Sequence, residues 1–356
     1  MNSIITSLHL VQYRSYEDFA VELSPTVNII VGPNASGKTN LLEAVLLLCG
    51  SSPFRAGVSD LIMYDKPWAR IVSIMKQTER SVTLERGEYS VKRQYTIKGE
   101  KRQRLRFEDT VPVVLFEPEH MRLLTGSPER RREFLDEILS AIDPQYYRYK
   151  KQYTRALAQR NSLLKNYSSN QANQLFIWNI RLSELAGYIV QERIKLLAIL
   201  QADIGNLYSN IAGNKTKVDI NYITPLPTDN YESVLLGKLE QSLDGDIAKG
   251  FTSYGPHRDD LDIKLSGKTA KGTASRGETR TMVLALKLLQ VKLIESHRKN
   301  RPIILLDDVF SELDGSRRKA LTNYLDKQQA IITTTDADVV SKDFAQHTNT
   351  ISLQDL

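Results

Sequence analysis

Apolar and polar residues alternate through positions 1–31, and the alternation ends in Val27-Asn28-Ile29-Ile30-Val31, which stops at Gly32-Pro33. Period-two alternation predicts strands, and the closing apolar run predicts a buried strand feeding a turn. Residues 39–49 then place Leu41, Leu42, Val45 and Leu48 at helical spacing, so the local order is strand, glycine-bearing loop, helix. Residues 68–115 hold β-branched alternating stretches, among them Arg70-Ile71-Val72-Ser73-Ile74 and Ser90-Val91-Lys92-Arg93-Gln94-Tyr95-Thr96-Ile97, broken at Gly87 and Gly99. An antiparallel sheet is the predicted result.

After Pro128 the period changes. Phe134, Ile138 and Ile142 share one helical face, and residues 173–209 lack proline and are rich in Leu, Ile and Ala. This predicts a helical insertion over 128–245. From Gly250 the pattern returns to turns, then a strand at 261–265, a helix over 278–296 and the apolar strand Ile303-Ile304-Leu305-Leu306. The two ends, 1–127 and 246–356, are expected to form one α/β domain interrupted by the insertion. The small, basic segment 267–277 is expected to be mobile until something binds it.

A chain of 356 residues can bury a sizeable core in two domains, or in one domain carrying an insertion. No run approaches the roughly 20 apolar residues of a membrane span, and the first residues lack the layout of a signal peptide. The single Cys49 suits a reducing compartment, and no cysteine and histidine cluster has zinc-ligand spacing. A cytoplasmic protein with no membrane partner is expected. The net charge is +6, and residues 76–106 alone carry ten Lys and Arg against four Glu. Concentrated positive charge favours a polyanionic partner.

The candidate chemistry begins at Gly32-Pro33-Asn34-Ala35-Ser36-Gly37-Lys38-Thr39, a phosphate-loop pattern set between a predicted strand and helix. In such a loop backbone amides and the helix amino terminus face the phosphates, Lys38 reaches the β and γ phosphates, and Thr39 ligates magnesium. The second element is the strand 303–306 ending in Asp307-Asp308, where Asp307 can hold the metal and Asp308 can orient an attacking water. Between them, Thr273-Ala274-Ser275-Arg276-Gly277-Glu278 precedes a helix and admits two readings: a helix cap on Ser275 or Thr273, or an anion-binding helix end.

Phosphate loop, then Ser275, then the acidic strand, followed by Ser311-Glu312-Leu313-Asp314, resembles the ABC and SMC classes of ATPase. A closer resemblance, spanning nearly the whole chain, is to the RecF family. It is carried by Tyr13-Arg14-Ser15-Tyr16, Gly37-Lys38-Thr39-Asn40-Leu41-Leu42-Glu43-Ala44, Phe54-Arg55 with Asp60-Leu61-Ile62, and Gly255-Pro256-His257-Arg258-Asp259-Asp260. Pro118-Glu119, Gly126-Ser127-Pro128, Arg131-Arg132-Glu133-Phe134-Leu135-Asp136 and the stretch from Leu305 to Asp314 add to it.

The resemblance implies an ABC-type P-loop ATPase head with an antiparallel β subdomain and an inserted helical lobe. It implies ATP and Mg2+ as cofactors and a homodimer with two sandwiched ATPs, in which Ser275 acts in trans on ATP at Lys38 of a partner and Ser311 to Asp314 lie along the seam. It also implies binding of single-stranded, gapped or junction DNA, weak DNA-stimulated hydrolysis, cooperation with RecR and RecO in loading RecA, and roles in DNA repair, replication and the SOS response. Three positions depart from the wider ATPase class: Ala35 stands where glycine is frequent, Asp308 where Glu is usual, and Thr335-Asp336 where transporters keep a switch histidine. No clear glutamine loop precedes the insertion. Asp308 is one methylene shorter than Glu, so slow hydrolysis is expected.

For DNA the candidates are Lys92, Arg93, Lys98, Lys101, Arg102, Arg104 and Arg106, and the helical set Arg130, Arg131, Arg132, Arg148, Lys150 and Lys151. Solvated basic faces are the alternative for each. Tyr146, Tyr147 and Tyr149 could stack on bases but more simply pack the insertion. A rival function is the ATPase subunit of a membrane transporter, against which stand the basic sheet and the insertion. A long coiled-coil scaffold fails on length, since a helix rises about 1.5 Å per residue.

Overall fold

The computed structural model describes residues 4–55, 57–75, 77–310, 313–325, 328–336, 340, 344 and 348–353. In chain order the elements are β1 (Ile5–Tyr13), β2 (Tyr16–Glu22), β3 (Val27–Val31), α1 (Lys38–Cys49), β4 (Trp68–Met75), β5 (Thr78–Arg86), β6 (Val91–Ile97), β7 (Glu100–Arg102) and β8 (Val113–Phe116). Next come α2 (Arg122–Thr125), α3 (Pro128–Ile142), α4 (Pro144–Lys165), α5 (Ala172–Ala212), β9 (Val218–Ile223), α6 (Tyr231–Gln241), α7 (Leu243–Lys249), β10 (Asp260–Leu265) and β11 (Lys268–Thr269). The last are α8 (Arg276–His297), β12 (Ile303–Asp307), α9 (Gly315–Leu325), β13 (Ala330–Thr334) and β14 (Thr348–Ser352). The chain divides into two compact units, 1–120 with 290–356, and 121–289.

The first unit holds two sheets. One is antiparallel, in the order β2-β1-β4-β5-β6-β7. Its strands alternate as half-buried strands must: Ala69, Ile71, Ser73 and Met75 of β4 turn inward, Arg70 and Ile74 outward. The other runs β14-β3-β13-β12-β8 with every pair parallel. β12 and β13 are buried at every position, which explains their unbroken apolar runs. β8 was expected within the antiparallel stretch; it pairs instead with β12, Val113 opposite Ile303.

Helix α1 is buried nearly all round, from Leu41 to Cys49, because it belongs to one core with residues of both sheets. A helix so placed needs an apolar surface on every side, and the sequence Leu-Leu-Glu-Ala-Val-Leu-Leu-Leu-Cys supplies it except at Glu43. It ends on Gly50, whose left-handed backbone lets its amide close on Leu46 and Leu47 carbonyls.

In the second unit, α5 runs 41 residues, about 60 Å, and packs along α4 and α6. A three-stranded antiparallel sheet, β11-β10-β9, lies in the same unit. Strand β9 was not foreseen inside the helical stretch, although Val218, Ile220 and Tyr222 alternate; α5 supports it through Gln201, whose amide donates to Val218 O (2.8 Å) and accepts from Ile220 N (2.7 Å). Within the segment 267–277, β11 pairs with β10, and Ala270 is buried with its amide on Ile263 O (2.7 Å). Arginines anchor the helices. Arg160, wholly buried, donates to Asp246, Asn179 and Thr252, and Arg193 donates to both oxygens of Asp136. Among the described residues no helix is long and apolar enough to cross a membrane.

Candidate functional site

The chain leaves β3 at Val31 and turns through residues 32–37 into α1, at the carboxyl edge of the parallel sheet, with β13 and β14 on either side of β3. Open parallel sheets place ligand crevices at that edge. Ala35 and Gly37 take left-handed φ angles of 68° and 92°. Alternation of this kind is the backbone form that turns successive amides toward an anion. At Gly37 a Cβ would also lie 2.7 Å from the Tyr16 hydroxyl, which donates to Gly37 O (3.1 Å). Gly32 is equally confined, since a Cβ there would lie 2.4 Å from Ser36 Oγ. Pro33, Asn34 and Ala35 form the exposed crest of the loop, while Ser36, Gly37 and Lys38 are buried.

Lys38 Nζ donates to Gly32 O (2.8 Å) and Pro33 O (3.0 Å), which folds its ammonium back into the loop and leaves a third N–H for a phosphate. Ser36 Oγ is buried with no hydrogen-bond partner among the described residues. Thr39 Oγ1 donates to Asp307 Oδ1 (2.9 Å), joining the first turn of α1 to the end of β12. Thr333 of β13 donates to the same oxygen (3.0 Å) and accepts from the Asp308 amide (3.0 Å). Asp308 is half-buried and takes a left-handed backbone, φ 53°, a conformation that Asp tolerates.

This donor set fits a triphosphate with magnesium. The loop is walled by glycines that a side chain would obstruct, the Ser36 hydroxyl has no partner among the described residues, and a hydroxyl and a carboxylate meet as a P-loop metal seat requires. Among the described residues no group of three or more His, Cys, Asp or Glu could hold a metal. Magnesium in P-loop sites rides largely on phosphates and needs only one or two carboxylates.

Four residues at the site were not singled out from sequence for a role in it: Tyr16, Thr333, Arg55 and Glu43. Arg55 Nη2 donates to Asp307 Oδ2 (2.7 Å). Glu43, wholly buried in α1, pairs with Arg14 and accepts the amides of Phe54 (3.2 Å) and Arg55 (2.9 Å). A lone acid inside an apolar helical run was the available signal for Glu43.

In the second unit Ser275 caps α8. Its hydroxyl accepts from the Glu278 amide (3.2 Å), and its own amide donates to Glu278 Oε2 (2.8 Å), a reciprocal capping box. The Ser275 amide and hydroxyl hold the Glu278 carboxyl below its usual range. Ser275 is exposed, so the cap and an anion can share this helix end. Thr273 turns back to Thr269 O (2.6 Å). Of the seam residues, Ser311 and Glu312 lie outside the described residues. Asp314 caps α9 by accepting from the Arg317 amide (3.1 Å), and Leu313 is buried.

The basic residues separate into two groups. Lys92, Lys98, Lys101, Arg104 and Arg106 are exposed on or beside β6 and β7. Arg93 lies over the Tyr95 ring, and Arg102 is paired with Asp109 and Glu100. In the helical set Arg131 is buried on Asp260, Arg132 donates to Asp259 O (2.7 Å) and Lys150 pairs with Asp136, so these three serve the interior. Two of the three tyrosines pack as expected: Tyr146 is buried against Asp136 and Tyr149 lies tilted against Tyr188 with ring centroids 4.5 Å apart, whereas Tyr147 is exposed.

A glycine-walled loop between β3 and α1, with an acidic strand one place removed on the same parallel edge, defines an ABC-type P-loop ATPase head. The RecF/RecN/SMC N-terminal domain family matches residues 4–354. "DNA replication and repair protein RecF" of Clostridium botulinum (strain ATCC 19397 / Type A) is 34% identical over 342 residues, 95% of this chain and 94% of that protein. The same-named protein of Lactobacillus johnsonii (strain CNCM I-12250 / La1 / NCC 533) is 33% identical over 350 residues, again 95% and 94%. The chain belongs to the RecF family of the RecF/RecN/SMC group. A solved structure of "the recombination mediator protein RecF-ATPrS in RecFOR pathway" superposes with a TM-score of 0.85 at 28% identity, covering 95% of this chain and 94% of that one. An SMC head domain from Pyrococcus furiosus shares the fold, with a TM-score of 0.54 at 15% identity over 99% of this chain and 94% of that one.

Proposed function

We propose that this chain is an ATP-dependent DNA clamp of recombinational repair, in which nucleotide joins two copies and the joined pair grips gapped or single-strand-containing DNA. The observation that carries it is the meeting of Lys38, Thr39 and Asp307 at the carboxyl edge of the parallel sheet, with Thr39 Oγ1 2.9 Å from Asp307 Oδ1. In this reading the amides of residues 32–39 and Lys38 bind the phosphates, and Thr39 with Asp307 holds magnesium. Magnesium, when bound, neutralises charge that develops on the β and γ oxygens. Asp308 orients the attacking water, and its short side chain makes hydrolysis slow, as suits a switch. Ser275 of the second copy completes the site through its exposed helix end.

The surface for DNA is the exposed set Lys92, Lys98, Lys101, Arg104 and Arg106, which meets phosphates without reading bases. In this reading the protein works in the cytoplasm with RecR and RecO in loading RecA, with roles in replication and the SOS response, and membership of the family supports it.

The test is the mass in solution by light scattering, with and without ATP and gapped DNA, for the native chain, Lys38→Met and Ser275→Arg. Doubling of the native mass with tighter DNA binding, lost in both variants, is the expected outcome. A native chain that stays monomeric with ATP and DNA together would sink the clamp.

A further inference from the structure

A carboxylate offers about four lone-pair directions. On Asp307, which is wholly buried, three donors meet them: Thr39, whose single hydroxyl proton is shared between Oδ1 (2.9 Å) and Oδ2 (3.2 Å), Thr333 on Oδ1 (3.0 Å) and Arg55 on Oδ2 (2.7 Å). Of these partners only Arg55 is charged. Its side chain is also half-exposed, at 51%, and stands on the segment between α1 and β4. The backbone beneath it is fixed: Glu43 accepts the amides of Phe54 and Arg55, and Arg14 supplies the counter-charge that a buried Glu43 needs. Arg55 is therefore a tethered cation whose side chain is free to leave while its main chain is not.

A divalent ion held by Thr39 and Asp307 would share the carboxylate with the Arg55 guanidinium on Oδ2, and two cations on one carboxylate repel. From this geometry we infer that Arg55 and magnesium compete for Asp307, and that arrival of the metal releases the guanidinium at the rim of the site. Arg55 is thus a gating residue that sets how much magnesium the site requires. Until the metal arrives, it gives the buried carboxylate a counter-charge of the protein's own. Once released, it stays at the rim of the site, because Glu43 holds its backbone. The inference rests on the proposed ATP site, and it differs from a purely structural ion pair, which would stabilise the fold without altering metal dependence.

The experiment titrates Mg2+ against a fixed concentration of a fluorescent ATP analogue and follows binding by its emission, for the native chain, Arg55→Gln and Arg55→Lys. Circular dichroism checks that each variant is folded. Arg55→Gln should lower the half-saturating Mg2+ about tenfold, the equivalent of losing one competing charge-assisted hydrogen bond. Arg55→Lys, which keeps the charge but loses the planar fork, should fall between the two and carries the test if the glutamine variant does not fold. A midpoint that is unchanged or raised in the folded variants overturns the inference. If the native chain binds no analogue at any Mg2+ concentration, the nucleotide site itself is wrong; native binding with unshifted variants sinks the gate alone.

Discussion

Arg131 grips Asp260 with two parallel hydrogen bonds, Nε to Oδ1 at 2.6 Å and Nη2 to Oδ2 at 2.9 Å, while its remaining nitrogen donates to Leu123 O and Gly126 O. The guanidinium is buried to 3% exposure. It ties the start of α3 to the start of β10, across 129 residues of chain.

Arg131→Ala should therefore act on stability. Breaking a buried pair strands the partner charge, and a loss of about 3 kcal/mol is expected in urea unfolding. Simultaneous Lys98→Glu, Lys101→Glu and Arg104→Glu should do the reverse: they leave the unfolding midpoint nearly unchanged and lower DNA affinity at least tenfold, with a shallower salt dependence. Fluorescence anisotropy of labelled gapped DNA at several salt concentrations checks this. Unaltered DNA binding by the triple variant would move the interface elsewhere.

Gly37→Ala meets two obstacles, a left-handed backbone at φ 92° and the Tyr16 hydroxyl 2.7 Å from the new methyl. The conformation alone costs about 1–2 kcal/mol, so calorimetry should show ATP affinity reduced at least tenfold. Adding Tyr16→Phe, which removes the crowded oxygen, should recover part of the loss.

Glu43→Ala leaves Arg14 and the amides of Phe54 and Arg55 without their acceptor. Loss of about 3–5 kcal/mol in thermal or urea unfolding is expected. Glu43→Gln should cost less, because the amide oxygen can still accept from one of those groups.

His257 introduces a pH dependence. Burial pulls its imidazole down to about 4, with the charges of Arg258, Arg132 and Arg160 acting in the same direction, although its hydrogen bond to Thr252 O opposes them. Its Nδ1 meets the Tyr153 hydroxyl at 2.7 Å and its Nε2 meets Thr252 O at 3.1 Å, which suits the neutral ring. Between about pH 4 and the ordinary value of about 6.5, the unfolded chain binds the extra proton. Stability from this group is thus fully present above pH 6.5 and is lost as the pH falls toward 4, by at most about 3 kcal/mol. Urea midpoints from pH 8 to pH 5 should fall more steeply for the native chain than for His257→Asn.

Much of the candidate nucleotide site was legible in the chain because its signals are local. Val27 to Val31 followed by Gly32 to Thr39 sets strand, loop and helix within a few residues, and the run ending at Asp307 marks a buried strand at its carboxyl end. Arg55 and Thr333 were illegible for the opposite reason. Arg55 stands 252 residues from its partner Asp307, and Thr333 gains its role only because β13 lies between β3 and β12. Arg131 and Arg132 misled in a further way: composition reports how much charge is present, and only packing reports whether it faces water. Strand β9 was hidden by its helical neighbours, since six alternating residues are a weak signal beside a helix of 41.

The order of strands in the parallel sheet also bears on how the protein is made. β3 is synthesised about 300 residues before its two partners, β13 and β14, which are formed from residues 330–334 and 348–352. At about 5–20 residues per second, the phosphate-loop strand waits roughly 15–60 s on the ribosome before either neighbour exists. A nascent or prematurely ended chain thus has the whole of the loop's sequence and no sheet edge to mount it on. The loop can be mounted on its sheet only after residues 330–352 have been made.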